Sequence, residues 1–246
     1  MSRVWVSIKR FGRVIKFLFV CLVVTVCVFM VWRIFAGGTP SEIKTLLPNS
    51  KLKAAYAEQG EELYIFKQQY DDITRADYNS GYFAVPEAVF IPDTNQAQIV
   101  FRYNNSTVRA VAKDYSLPEA PDREQDLFDV SLVLYIDLTP DKPDDNDDVN
   151  SEGLKKIRCL PSDEKCERTT LHSFYRYSFD FDDAEEEVDI KQLMDDGLII
   201  AIHAQFYYNG DLDYEETPYG ALNLYYHQRK NYEVDLSSKD KKALAN

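Results

Sequence analysis

Cys159 and Cys166 bracket the segment Cys-Leu-Pro-Ser-Asp-Glu-Lys-Cys between two stretches of strand character. Outside the cytoplasm such a pair would oxidise to a disulfide, because a hairpin brings its Cβ atoms within bridging distance and the redox setting permits the bond. Two free thiols are the alternative. A metal site would have to recruit His172 or His203 from distant stretches of chain. The acidic run from Asp144 to Asp148 sets oxygen ligands at alternate positions, Asp144, Asn146 and Asp148, as a Ca2+ loop begins. The pattern then fails, since Val149 stands where glycine is required and Lys155 where the bidentate glutamate belongs. A solvated acidic loop with at most weak Ca2+ binding is the expectation. It extends to Asp180, Asp182 and Asp183 with Glu185, Glu186 and Glu187, and to Asp211, Asp213, Glu215 and Glu216.

Catalysis needs a nucleophile or a matched acid and base that converge. The three histidines, His172, His203 and His227, each fall on a strand-like stretch, and neither a His-Glu-x-x-His nor a Gly-x-Ser-x-Gly pattern occurs. Carboxylates are so abundant that no pair stands out. The enzyme reading therefore reduces to a hydrolase with two carboxylates about 5 to 9 Å apart. No glycine-rich phosphate loop is present, and no cofactor is expected. Of the 17 tyrosines, Tyr207, Tyr208, Tyr214, Tyr219, Tyr225, Tyr226 and Tyr232 crowd the last third. Adjacent strand residues point to opposite faces, so some of these rings should form a binding surface, with cross-strand packing as the alternative. Asn104 and Asn105 open two overlapping Asn-x-Ser/Thr sequons at an expected hairpin turn, glycosylation candidates in a host that glycosylates secreted proteins.

These residues belong to a chain that reads as mainly β. Phe128 to Thr139 alternates apolar and polar residues with a period of two, as does Thr170 to Phe181. Further strands are expected at 62–67, 82–91 (interrupted by Pro86), 96–104, 107–113, 154–159, 198–208 and 221–227. About nine strands separated by turn residues predict an antiparallel β-sandwich, with an immunoglobulin-like architecture among the arrangements this allows. Short helices are expected at 50–59, capped by Asn49 or Ser50 and stopped by Gly60, at 189–196 closed by Gly197, and at 237–244.

The N-terminus has another character. Phe17 to Trp32 holds no charged residue, and the run extends over 14–36 if Lys16 and Arg33 reach towards head groups. A helix of that length matches a bilayer core of roughly 30 Å. A cleaved signal peptide is the rival reading, with Ala36-Gly37-Gly38 as the cleavage site. The run exceeds the usual h-region of about 7 to 15 residues and Arg33 intervenes, so an uncleaved signal anchor is expected. Cys21 and Cys27 lack the preceding small residue of a lipoprotein site and read as apolar helix residues. Five basic residues precede the span, which places the N-terminus in the cytoplasm and the rest of the chain outside it.

The net charge is −13; residues 1–36 carry +6 and no acid, leaving −19 for the remainder. So acidic a domain is repelled by phosphate backbones and by anionic lipid head groups, which argues against nucleic acid as its ligand. The expected organisation is a basic tail over 1–13, a span over 14–36, a stalk with short helices over 37–60, a β-domain over 61–236 and a tail over 237–246. The expected function is non-enzymatic binding of a protein or cell-envelope polymer by a membrane-anchored module. The alternatives are an extracytoplasmic hydrolase using paired carboxylates and an accessory subunit whose span packs against another membrane protein.

Overall fold

Residues 2–68, 83–122, 126–137, 154–209, 218–224, 231–233 and 235–245 are described by a computed structural model. The chain divides into two units, one comprising the N-terminal helix with Thr169–Leu171 and the other a folded domain that begins at Thr39. Helix α1 (Ser2–Gly37) carries the uncharged run, and none of Ile15–Trp32 is buried. At 18 residues this apolar stretch is long enough to cross a bilayer as a helix. Thr25, midway along it, donates its hydroxyl to the Cys21 carbonyl at 2.9 Å, which satisfies the donor inside the helix.

The domain is mainly β. Its strands are β1 (Phe66–Gln68), β2 (Phe83–Ile91), β3 (Gln96–Asn104), β4 (Phe128–Asp137), β5 (Leu154–Cys159), β6 (Pro161–Arg168), β7 (His172–Asp180), β8 (Ile199–Tyr208), β9 (Gly220–Asn223) and β10 (Asn231–Glu233). They form two antiparallel sheets, A in the order β10-β1-β2-β3-β7-β6 and B in the order β5-β4-β8-β9. Alternate side chains of both sheets share one core, with Phe90, Ile99, Phe101 and Phe179 from sheet A and Leu132, Leu134, Ile202 and Phe206 from sheet B. Period-two alternation produces this face directly, because every second residue of a strand points the same way.

Pro86 sets a local exception. It has no N–H to give to the ladder, and the register of β2 against β3 shifts between Ala84 and Glu87, as at a β-bulge. Before the shift Phe83 and Val85 face the shared core; after it Ala88 and Phe90 do, and Glu87, Val89 and Ile91 belong to the opposite face of sheet A. One inserted residue thus moves a carboxylate out of the core.

The helices are α2 (Ser50–Gln59), α3 (Thr107–Asp114), α4 (Ile190–Asp195) and α5 (Ser238–Ala245). The Asn49 side chain caps α2, accepting from Leu52 N at 2.8 Å, and Gly60 ends it at φ 64°. Gly197 closes the α4 segment at φ 66°. The expected strand at 107–113 is instead α3. Its β-branched residues favour a strand by propensity, but Thr107, Val108 and Val111 are buried at helical spacing, and tertiary packing decides. Strand β6 was not foreseen because an edge strand with Asp163, Glu164, Lys165 and Glu167 shows no apolar alternation. Charges of that kind guard an open edge against pairing with other chains.

The expected disulfide is not formed; Cys159 and Cys166 are both free. The chain does not make a hairpin there. Cys159 ends β5 in sheet B, opposite Leu132, and Cys166 lies on β6 in sheet A, opposite Tyr175. The Cys159 thiol meets the Asp180 carbonyl at 3.2 Å. Asp180 stands at the far end of β7 from Tyr175, several strand residues from the partner of Cys166 and beyond disulfide reach.

Phe83 joins the two sheets through its ring, which stacks on Phe206 at 4.1 Å and meets Phe128 edge-on at 4.9 Å. A Cβ at Gly220 would come within 2.6 Å of that ring, which packs against Phe128, Phe206 and Tyr219. Gly220→Ala is therefore expected to lower unfolding free energy by about 1 to 3 kcal/mol, read from urea denaturation; an unchanged midpoint would mean the Phe83 ring is free to move.

Candidate functional site

The chain leaving α1 is built into the domain almost at once. Ile43 N and Lys44 N donate to the Pro40 carbonyl at 3.1 and 3.2 Å, and residues 43–47 then cross the outer face of sheet A as a strap. Ile43, Leu46, Leu47 and Leu52 are buried there, Ile43 against Val100 and Phe174, and Leu46 and Leu52 with Val89, Ile91 and Leu244. Within residues 37–60, expected as a stalk, the strap 43–47 thus lies along the sheet and, with Leu52, helps to cover it.

A strap across a sheet face has no neighbouring strand, yet its buried backbone groups need partners. Side chains supply them. Arg176, fully buried on β7, donates from Nε to the Ile43 carbonyl at 2.6 Å and from Nη2 to the Lys44 carbonyl at 3.2 Å. Gln98 on β3 donates to the Leu47 carbonyl and accepts from Leu47 N, both at 2.8 Å. Asp240 on α5 accepts from Leu46 N at 2.7 Å. Glu87 neutralises Arg176 from the far side of the bulge and also pairs with Lys67 at 2.6 Å. Asp240 forms a capping box with Ser237, each bonding the other's backbone N–H. The C-terminal helix and the strap therefore hold each other.

A second constellation occupies the end of the domain that bears α3. Tyr175 donates to Asp126 at 2.8 Å, Arg168 donates to the same carboxylate oxygen at 2.7 Å, and the Tyr103 and Tyr175 hydroxyls lie 3.3 Å apart. Burial, then Tyr103, hold the Tyr175 phenol far above its ordinary pKa. Glu164 and Asp129 are raised by burial and then by Asp126. Asp126 is thus an acceptor pinned by Arg168 and Tyr175. The cluster ties β3, β6 and β7 to the chain entering β4. Close by, the exposed Tyr115 ring meets half-buried Tyr208 at 4.7 Å, and behind them Tyr219 donates to Asp114 at 2.8 Å. Ser116 follows at φ 51°, a left-handed conformation that places its N–H on the Lys113 carbonyl and ends α3.

Of the tyrosines expected to form a surface, Tyr207 and Tyr219 are buried instead, at 3% and 6% exposure. Tyr207 turns its hydroxyl to Gln205 at 2.7 Å. Tyr232 pairs through β10 with Lys67, and Tyr214, Tyr225 and Tyr226 lie outside the described residues. Asp144, Asn146, Asp148, His227 and the acidic group 211–216 also lie outside them. Tyr115 carries no signal in the sequence, since it caps a helix whose residues have strand propensity. Asn104 and Asn105 stand at the β3–α3 junction rather than in a hairpin; Asn104 is exposed and accepts from Ser106 N at 2.9 Å.

Asp180 and Asp182 both pair with Lys51, and hydrogen bonds from Lys51 and Asn95 hold the Asp182 carboxyl below its usual range. Among the described residues no group of three or more His, Cys, Asp or Glu side chains is arranged to hold a metal. His203 packs on Tyr135 at 4.7 Å, and His172 is lowered by burial and then by Arg102. Burial, then Asp180 and Asp183, push the Cys159 thiol up to about 12, which removes its thiolate at neutral pH. No protein-family model, curated protein or solved structure matches this chain.

Removing one partner of a buried ion pair strands the other. Arg176→Ala is expected to cost about 3 to 5 kcal/mol in denaturant unfolding, and Arg176→Lys should not restore it, because an ammonium lacks the fork that spans two carbonyls and Glu87. A loss below about 1 kcal/mol would mean the strap holds without it. Asp129 Oδ2 is buried with no hydrogen-bond partner. A carboxyl raised by folding destabilises the domain once pH exceeds its unfolded value, so Asp129→Asn should stabilise at pH 7 and lose that advantage as pH falls below about 4. Melting curves across this range check the sign.

Proposed function

We propose that this chain is a non-enzymatic binding module: a β-sandwich of its own topology, anchored by α1 with the N-terminus in the cytoplasm and the domain outside. The observation that carries the reading is the strap. The domain takes the chain beyond α1 into its own packing from Ile43 onward, which suits display of a contact surface better than release of a diffusing catalyst. The two-sheet core supports the sandwich, while the described strand orders depart from the ABED and CFG pattern of immunoglobulin domains. Five basic residues before the apolar run, against Arg33 and the mixed Glu42 and Lys44 after it, support the orientation.

The contact surface in this reading is the α3 end, where Tyr115 and Tyr208 offer rigid amphipathic rings beside the polar cluster of Asp126 and Arg168. The ligand is a protein or a cell-envelope polymer without strong negative charge, since an anionic polymer meets a repulsive domain. A carboxylate-pair hydrolase is less well served: Asp126 is engaged by Arg168 and Tyr175.

Affinity capture of tagged full-length protein from gently solubilised native membranes, with mass spectrometry of what accompanies it, tests the proposal. A stoichiometric partner is expected, and Tyr115→Ser with Tyr208→Ser should weaken capture at least 10-fold, equivalent to about 1.4 kcal/mol, without lowering the melting temperature by more than a few degrees. Full capture by the double variant would sink the assignment of this surface.

A further inference from the structure

Strand β6 is one edge of sheet A, bonded to β7 on one side and, among the described residues, to no strand on the other. An open edge can accept a strand from another chain, and its side chains decide which strand is admitted. The register against β7 sorts those side chains. Glu164, Cys166 and Arg168 stand opposite Tyr177, Tyr175 and Ser173 on the core side of the sheet. Asp163, Lys165 and Glu167 stand opposite Ser178, Arg176 and Phe174 on the strap side. Lys165 reaches Glu42 only at 3.8 Å, and Arg168 meets Asp126 and Tyr175 through Nη2, which leaves the rest of its guanidinium donors for another acceptor.

We propose that two copies of this chain pair through their β6 edges, antiparallel about a two-fold axis that is perpendicular to sheet A and passes between their Cys166 residues. Such an axis keeps the core side of both sheets on one side, so directly opposite residues come from the same side and the register must set one residue against itself. With Cys166 at the centre, Lys165 faces Glu167 of the second copy on the strap side, and Glu164 faces Arg168 of the second copy on the core side. Symmetry repeats both pairs, so every charge from 164 to 168 meets its opposite. The neighbouring registers do not allow this. Centring on Lys165 sets it against itself and Asp163 against Glu167, while centring on Glu164 or Glu167 sets a glutamate against itself. Opposite charges directly across an antiparallel pair stabilise it and like charges destabilise it. The charges that turn other strands away from this edge therefore admit a second β6 in one register.

Sedimentation velocity of full-length protein in detergent, over a concentration series, reads the state of association, and a dimer is expected. Glu167→Lys, which sets lysine against lysine, should raise the dimer dissociation constant by roughly 10-fold or more. Lys165→Glu should do the same. The two substitutions together exchange the charges and rebuild the pair, so the double variant should dimerise as the unaltered chain does. Opposed Cα atoms of an antiparallel pair stand about 4.5 to 5.5 Å apart, within disulfide range. In a Cys21→Ser, Cys27→Ser background, copper phenanthroline in air should therefore join two chains in a reducible dimer that Cys166→Ser abolishes. Tyr115→Ser with Tyr208→Ser should leave the dimer intact, so this pairing and the contact surface proposed above fail separately. A monomer at every concentration, a dimer indifferent to Glu167→Lys, a dimer lost with the two tyrosines, or a charge exchange that does not restore it would each overturn the proposal.

Discussion

The guanidinium of Arg176 is the group on which the outer face of sheet A depends. A polypeptide segment laid over a sheet cannot join the ladder, and each of its buried carbonyls left unbonded costs about as much as a lost hydrogen bond. Arg176 meets two of them with one planar side chain and is itself charge-balanced by Glu87. Its own burial is expensive, since ion desolvation in a protein interior amounts to several kcal/mol. The arrangement is tolerable because the charge is paired and most of its donors are used; one Nη remains without a partner. A hydrophobic side chain of equal volume would pack there but would leave the strap's carbonyls unserved.

That requirement reaches back into the register of the sheet. Glu87 can face Arg176 only because the irregularity at Pro86 turns β2 by one residue, so a proline that looks like an interruption in the sequence supplies the counter-charge of the strap. It reaches forward as well, to the C-terminus. Asp240 satisfies Leu46 N and, with Ser237, caps α5, so the first and last segments of the domain close over the same face. Strap, bulge and terminal helix meet through these side chains on one face of sheet A.

Much of the β framework was legible in the sequence because it rests on local pattern. The alternation at 128–137 and 172–180 gave two central strands; Asn49 and Gly60 marked both ends of α2. What escaped depends on contacts between distant residues. Helix α3 carries threonine and valine, whose preference for strands is overridden where Val108 and Val111 pack on the core. Strand β6 escaped because its role at an edge selects charge over alternation. The disulfide expectation assumed that two cysteines flanking a turn belong to one hairpin, whereas the chain changes sheets at Leu160. The tyrosine surface was half legible: adjacent residues do face opposite ways, but Tyr207 finds cover on its side of sheet B and Tyr219 enters the core.

The same long-range logic explains why no residue of the strap site could have been chosen from sequence. Arg176 sits in an alternating strand at a position that reads as solvent-facing, and nothing near it in the chain signals otherwise. Its partners lie at 43, 44 and 87, and the strap's remaining anchors at 98 and 240. In a sheet with one solvated face, alternation identifies two faces but not which is dry, and here the second face is dry as well. The polar residues on it, Gln98, Arg176 and Ser178, are buried for the sake of what crosses above them. The polar face of sheet A is roofed by residues that stand only a few positions beyond α1 in the chain, and this is why the strap rather than any carboxylate pair carries the functional reading.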